Sequence, residues 1–407
     1  MISNMPCYEQ MKDSGVEWLG EIPEHWEIKK LKSLARIRNG RDYKDVLAHE
    51  GYPVIGSGGE FALASHYLYK GESVLLGRKG TIDKPLYIDG AFWTVDTMYY
   101  TEVFNTTNVK FLYYCALTIN FKFYATQTAL PSMTQQDLSN IAFSVPAIIE
   151  QTAIATFLDQ KAAQIDQAIA LKQKQIELFK ERKQLVIQQA VTKGLNPNAP
   201  MRDSGVEWIG EIPEHWEVKR VKNIFRLIIE PAPINNNHEL LSVYTEIGVK
   251  PRKELEEKGN KASTTDGYWM VKKGDFIVNK LLAWMGAIGL SDYDGVTSPA
   301  YDILRPILDI DGRFFHLFFR TKFCTSELKK HSRGIMEMRL RLYFDKFGVI
   351  KVPFPSKSEQ TAIVAHIETQ SAKIDKAIDI QQQQINKLKE YKATLINSAV
   401  TGKIKVA

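Results

Sequence analysis

Side chains able to hydrogen-bond to nucleobase edges, or to neutralise phosphates, cluster at four places in this 407-residue sequence. The first cluster is Arg78-Lys79-Gly80-Thr81 with Lys84, and the second is Gln127-Thr128 with Ser132-Met133-Thr134-Gln135. The third is Lys280 with Trp284, and the fourth is Arg333, Arg339 and Arg341. Guanidinium and ammonium groups suit phosphate oxygens, whereas Arg, Lys, Gln, Ser and Thr can also address base edges. A solvated surface charge is the alternative for any one of them. Taken together they carry more weight, because the third cluster corresponds to the first and the fourth to the region of the second.

Bond-making chemistry finds no support in the sequence. Neither Asn-Pro-Pro-(Phe/Tyr) nor Asp-Pro-Pro-Tyr occurs, the motifs with which an adenine methyltransferase holds a flipped base. No GxxxxGK(S/T) loop is present, and Gly402-Lys403 lacks the upstream glycines. Gly56, Gly58 and Gly59 lack the strand-to-helix setting of a dinucleotide site. His25 and His215 each lie in Pro-Glu-His-Trp, where packing at a domain's start is the better reading than catalysis. Trp18, Trp26, Trp208 and Trp216 read the same way. Cys7, Cys115 and Cys324 are widely separated, which argues against a disulfide framework or metal site and for a reducing cytoplasm. The first residues carry no basic-then-apolar leader, and no run of about 18 apolar residues suggests a membrane span. Lys and Arg number 53 against 47 Asp and Glu, a net +6 that fits a polyanionic partner without establishing one.

The elements that position these clusters are written twice. Residues 11–29 (MKDSGVEWLGEIPEHWEIK) recur at 201–219 with three substitutions, at an offset of 190. Residues 150–169 (EQTAIATFLDQKAAQIDQAI) recur in part at 359–378, at an offset of 209. The second copy therefore holds 19 more residues between its shared blocks. The middles, about 31–149 and 221–358, diverge. Like edges imply a shared frame, and unlike middles imply two recognition tasks; a duplication whose middles merely drifted is the alternative.

The block after Glu150 has apolar residues at Leu158, Ala162, Ile165, Ile169, Ile176, Phe179, Val186 and Ala190, a heptad-like seam. Its copy has Ile367, Ser371, Ile374, Ile378, Ile385, Leu388, Leu395 and Ala399. Lys172, Lys183, Gln381 and Lys392 interrupt the seams, and polar seam residues fix register at a cost in stability. No proline or glycine breaks either stretch, so each supports a helix of about 40 residues and about 60 Å. The nearest partner for one such helix is its own copy, running antiparallel. Packing of each helix on its own domain is the alternative. Gly194 to Pro200 breaks the first helix.

Both middles read as mixed α/β with short strands. In the first, a strand at Ser73 to Leu76 breaks at Gly77–Gly80 and resumes at Thr81-Ile82. In the second, a strand at Phe276 to Val278 precedes a glycine turn at 286–289. Each ends in a short helix and an extended exit, 135–145 and 343–352.

With these blocks in place, the chain resembles the specificity subunit of Type I restriction-modification systems. The resemblance rests on the duplicated SGVEW(L/I)GEIPEHWE openings, the Pro-x-x-x-Glu-Gln-Thr-Ala-Ile junctions at 146–154 and 355–363, and the LLGRKGTI turn at 75–82. It covers essentially the whole chain. It implies an α+β fold with two mixed α/β target-recognition domains, separated by a long antiparallel coiled coil of two conserved helices with pseudo-two-fold symmetry. The corresponding boundaries are 1–149, 150–193, 194–358 and 359–407. It implies a non-catalytic chain that reads a bipartite, asymmetric site in double-stranded DNA and docks two methyltransferase subunits, which restriction subunits can join. No cofactor is expected in this chain; S-adenosylmethionine, ATP and Mg would reside in the partners. The competing reading is a coiled-coil scaffold with two protein-binding modules and no DNA preference.

Overall fold

The structure is a computed structural model that describes residues 5–124, 131–254, 265–334 and 339–406. Gln127 and Thr128 lie outside the described residues. The chain forms two compact units, Met1–Lys174 with Gln381–Ala407, and Gln175–Ile380.

Two long helices, Ile148–Lys193 and Lys357–Val400, are each shared between the units. Both begin two residues ahead of the repeated Glu-Gln, just beyond Pro146 and Pro355. Proline cannot continue a helix backward because its neighbour is pushed to extended backbone. In the first unit Lys392 Nζ donates to Asp166 at 2.6 Å, and Lys172 Nζ donates to Gln381 at 3.2 Å and to Gln384. Numbers rise on one helix as they fall on the other, so the segments pair antiparallel. In the second unit Lys183 donates to Asp375 at 2.7 Å. Asp166 and Asp375, like Lys183 and Lys392, are 209 apart, so one ion pair is built twice. The polar interruptions of the heptad seam thus bond to polar groups of the facing segment.

The apolar seam is covered. Leu158, Ile165, Ile169 and Ile385 are buried in the first unit, and Ile176, Ile367 and Ile374 in the second. Phe179, Ile378 and Leu388 are half-buried. Full burial of such a side chain is worth about 1.5–3 kcal/mol. At the helix ends the partner changes: Ala190, Val191, Ile363 and Val364 join the core of the second unit's globular head.

Each head is closed by a neck of two antiparallel strands. Glu27–Lys30 pairs with Ala142–Val145, and Glu217–Arg220 pairs with Lys351–Phe354. The register is the same, Val145 opposite Glu27 and Phe354 opposite Glu217. The chain therefore enters and leaves each head through one ribbon, which is why both edges of each copy are alike.

Above the neck both heads carry a four-stranded antiparallel sheet in one order. In the first head it runs Leu86–Ile88, Ser73–Gly77, Met98–Val103, Ala35–Asn39. In the second it runs Ile288–Leu290, Phe276–Asn279, Tyr301–Pro306, Phe225–Ile228. Thr81-Ile82 is not a strand; the chain loops there and resumes pairing at Leu86. Gly289 belongs to the strand Ile288–Leu290 rather than to the glycine turn. Beyond the sheet the heads differ. The first adds a five-stranded sheet built on Tyr52–Gly56 and Gly59–Ala64, and the second adds two two-stranded ribbons. The sheet registers place Ala35 with Phe225 and Val103 with Pro306, offsets of 190 and 203. Thirteen of the 19 extra residues thus lie inside this span. The other six lie between the helices Val109–Ala116 and Gly312–Phe319 and the exit strands, which sit 209 apart.

Candidate nucleic-acid interface

Residues of the repeated junction fasten each head to its helix. Gln151 is buried; its Oε1 accepts from Asn108 N at 2.9 Å and its Nε2 donates to Pro146 O at 2.9 Å. Gln360 repeats this with Asp311 N and Pro355 O, both at 2.9 Å. Glu150 accepts from Tyr8 Oη at 2.7 Å and Trp26 Nε1 at 3.2 Å, and lies 3.0 Å from His25 Nε2. The Tyr8 hydroxyl is pushed up by burial and by this carboxylate. Glu359 holds His215 at 3.1 Å. Both histidines are therefore engaged by a junction carboxylate. A second fastening is also duplicated: Lys110 donates to Asp159 at 2.6 Å, and Arg313 donates to Glu368 at 3.3 Å.

On this frame, the described residues of the two clusters proposed for the first head come together. The strand Ser73–Gly77 delivers Arg78, and the loop folds back so tightly that a Cβ on Gly77 would lie 2.5 Å from Ile82 Cα. Lys79 forms an antiparallel bridge with Ser132. Gly80 N donates to Pro131 O at 2.9 Å, and Met133 N donates to Arg78 O at 3.0 Å. Lys79, Thr81 and Lys84 are exposed, and Ser132 is half-buried. Arg78 turns back on its own head: its Nη1 donates to Asp96 O at 3.3 Å and its guanidinium lies 5.9 Å from the Tyr99 ring centroid. Thr134 caps the closing helix Gln135–Asn140, with Asp137 completing a reciprocal capping box. Asp96 and Thr97, which the sequence reading did not single out, line a cleft of about 470 Å³ with Tyr43, Gly58, Glu60 and Phe61.

The second head makes the same connection. Leu342 N donates to Lys280 O at 2.8 Å, the counterpart of Met133 to Arg78. Arg333 and Arg341 exchange backbone hydrogen bonds at 2.9 and 2.8 Å, so Arg333-Gly334 is a bridged segment. Arg333, Arg339 and Arg341 are exposed. Lys280 is committed elsewhere, donating to Pro299 O at 3.1 Å beside Asp302 at 3.3 Å, with side-chain exposures of 20% and 15%. Burial pushes the Asp302 carboxyl up, and Lys280 opposes that shift. Trp284 is half-buried against the head's core, with Lys329 Nζ 5.0 Å from its ring centroid. The outward positions of this turn are instead Leu281, Leu282 and Met285. Sequence reasoning passed over them because apolar residues near a strand normally point to a core. The signal available was their place in a turn rather than in an alternating strand.

Among the described residues, no group of three or more His, Cys, Asp or Glu is arranged to hold a metal ion. Among the same residues, no helix is long and apolar enough to cross a membrane.

Comparison with known proteins accords with this geometry. The family model described as Type I restriction modification DNA specificity domain matches twice, at residues 23–178 and 213–390. The chain is similar to the Type I restriction enzyme MjaVIII specificity subunit of Methanocaldococcus jannaschii, 23% identical over 95% of this chain and 94% of that protein. It is also similar to the Type I restriction enzyme EcoDI specificity subunit of Escherichia coli, 21% identical over 91% of this chain and 87% of that one. In fold it resembles a chain from a structural study of type I R-M complex assembly and conformational transition, with a TM-score of 0.68 at 14% identity over 93% of this chain and 98% of the other. It also resembles the HsdS subunit of Thermoanaerobacter tengcongensis, with a TM-score of 0.51 at 13% identity over 94% and 98%.

Proposed function

This chain belongs to the Type I restriction-modification DNA specificity family, and from that membership we propose how its parts divide the work. It is the non-catalytic DNA-recognition chain of such a system. Each head reads one half of a bipartite, asymmetric site in double-stranded DNA. The two long helices set the gap between the halves and dock two methyltransferase subunits, which restriction subunits can join. S-adenosylmethionine, ATP and Mg then belong to those partners. The working divisions are 1–149 and 194–358 for recognition, and 150–193 and 359–407 for the helices with their tail.

One observation carries this reading. Two heads with the same neck, sheet order and turn-to-segment hydrogen bond present different side chains at corresponding positions. A shared frame with divergent tips suits two half-sites of different sequence. The contact set comprises Arg78, Lys79, Thr81, Lys84 and Ser132 in the first head, joined by Gln127 and Thr128. In the second it comprises Arg333, Arg339 and Arg341, with Lys280 and Trp284 shaping the turn.

The test is a head exchange. Residues 31–149 are replaced by the corresponding segment of a relative, and methylated adenines are mapped in cells expressing the hybrid. Half of the recognised site should change while the other half stays. Retention of the whole original site would remove recognition from that segment.

A further inference from the structure

The two heads distribute charge over their paired loops in opposite ways. In the first head the turn is cationic, with Arg78, Lys79 and Lys84, and the segment 124–132 (YATQTALPS) carries no charge. In the second head the segment at the corresponding place, 333–341 (RGIMEMRLR), holds three arginines, and Lys329 and Lys330 precede it. Here the turn is apolar: Leu281, Leu282 and Met285 are 38%, 37% and 46% exposed.

That turn is rigidly built. Asn279 Oδ1 accepts from Leu281 N at 3.0 Å and from Leu282 N at 3.3 Å. Ala283 is fully buried between them and Met285. Gly286 closes the turn at φ 96°, a left-handed conformation that suits glycine. The cations stand close by: Lys329 covers the Trp284 ring, and Leu342 beside Arg341 is bonded to Lys280. An apolar tip held out by a fixed backbone and flanked by arginines is complementary to a groove walled by phosphates whose floor presents methyl groups among its polar base edges, which is the duplex major groove.

Resting on the family reading above, we propose that Leu281, Leu282 and Met285 are the base-contacting residues of the second head, while Arg333, Arg341 and Lys329 hold the flanking phosphates. The apolar group that the major groove offers such a tip is the thymine methyl.

The experiment uses the full chain assembled with its methyltransferase partner, and duplexes carrying the site mapped from genomic methylation. Single base-pair changes are scanned through both halves, and binding is measured across a salt series. Leu281→Ser with Leu282→Ser should reduce discrimination in the second half-site about tenfold, leaving the first half-site and the salt slope unchanged. Arg333→Gln with Arg341→Gln should lower the slope of log affinity against log salt by about 2, with discrimination retained. Met285→Ala repeats the first test if the double variant does not fold. Unaltered discrimination in the leucine and methionine variants overturns the proposal. So does loss of methyltransferase capture, which would make the tip a protein-docking surface. If the unaltered complex shows no preference for the mapped site, the failure lies with the family-based reading itself.

Discussion

At the residue scale the repeat is not symmetric. Glu150 accepts from Tyr8 and Trp26 and also holds His25, whereas Glu359 holds only His215 among the corresponding groups. Trp216 Nε1, the counterpart of Trp26 Nε1, is buried without a hydrogen-bond partner among the described residues. A carboxylate accepting hydrogen bonds from partly buried donors is costly to remove, about 1–3 kcal/mol for the donors left behind. Glu150→Ala should therefore destabilise the first unit by more than Glu359→Ala destabilises the second. Thermal unfolding of both variants, followed by hydrogen exchange in each unit, measures the difference; equal losses would show that the extra donors contribute nothing.

At the element scale the long helices combine two interactions that are usually separate. Their central parts pair with each other through a heptad seam, and their ends are built into the heads' cores. Two Asp–Lys pairs, 166 with 392 and 375 with 183, fix the register. A spacer of this kind should lengthen predictably. Seven residues inserted into both helices, after Lys174 and before Gln381, keep the heptad phase and add about 10 Å. The gap between the methylated half-sites should then grow by about three base pairs. An unchanged gap in the methylation map would show that the helices do not measure it.

At the scale of the whole molecule, the last residues of the chain complete the first unit. Lys405 N donates to Pro6 O at 2.7 Å, Lys403 Nζ donates to Glu21 O, and Ile404 is buried. Gly402, at φ 73°, sits so close to Pro23 that a Cβ there would approach Pro23 Cδ to 2.2 Å. Gly194 plays the matching part against Trp216 and Pro213 in the second unit. Ending the chain after Val400 should therefore loosen the first unit and leave the second intact. Hydrogen exchange resolved to residues 11–30 and 201–220 reads this directly, with faster exchange expected only in the first range; equal exchange would deny the tail this role.

The repeated openings, the heptad seams and the proline and glycine breaks were all legible in the sequence. Each depends on local pattern: two copies of one segment fold alike, and an apolar seam without breakers makes a long helix. The similarity of the two heads was legible in outline, through matching strand and turn signals. Which side chains face outward on those heads was not. Lys280 and Trp284 looked available for contact, yet Asp302 and the second head's core engage them. Leu281, Leu282 and Met285 were not singled out in the sequence, and they are exposed. Local sequence fixes the turn, but a side chain's exposure depends on distant segments, and these were brought alongside only when the neck and sheet closed.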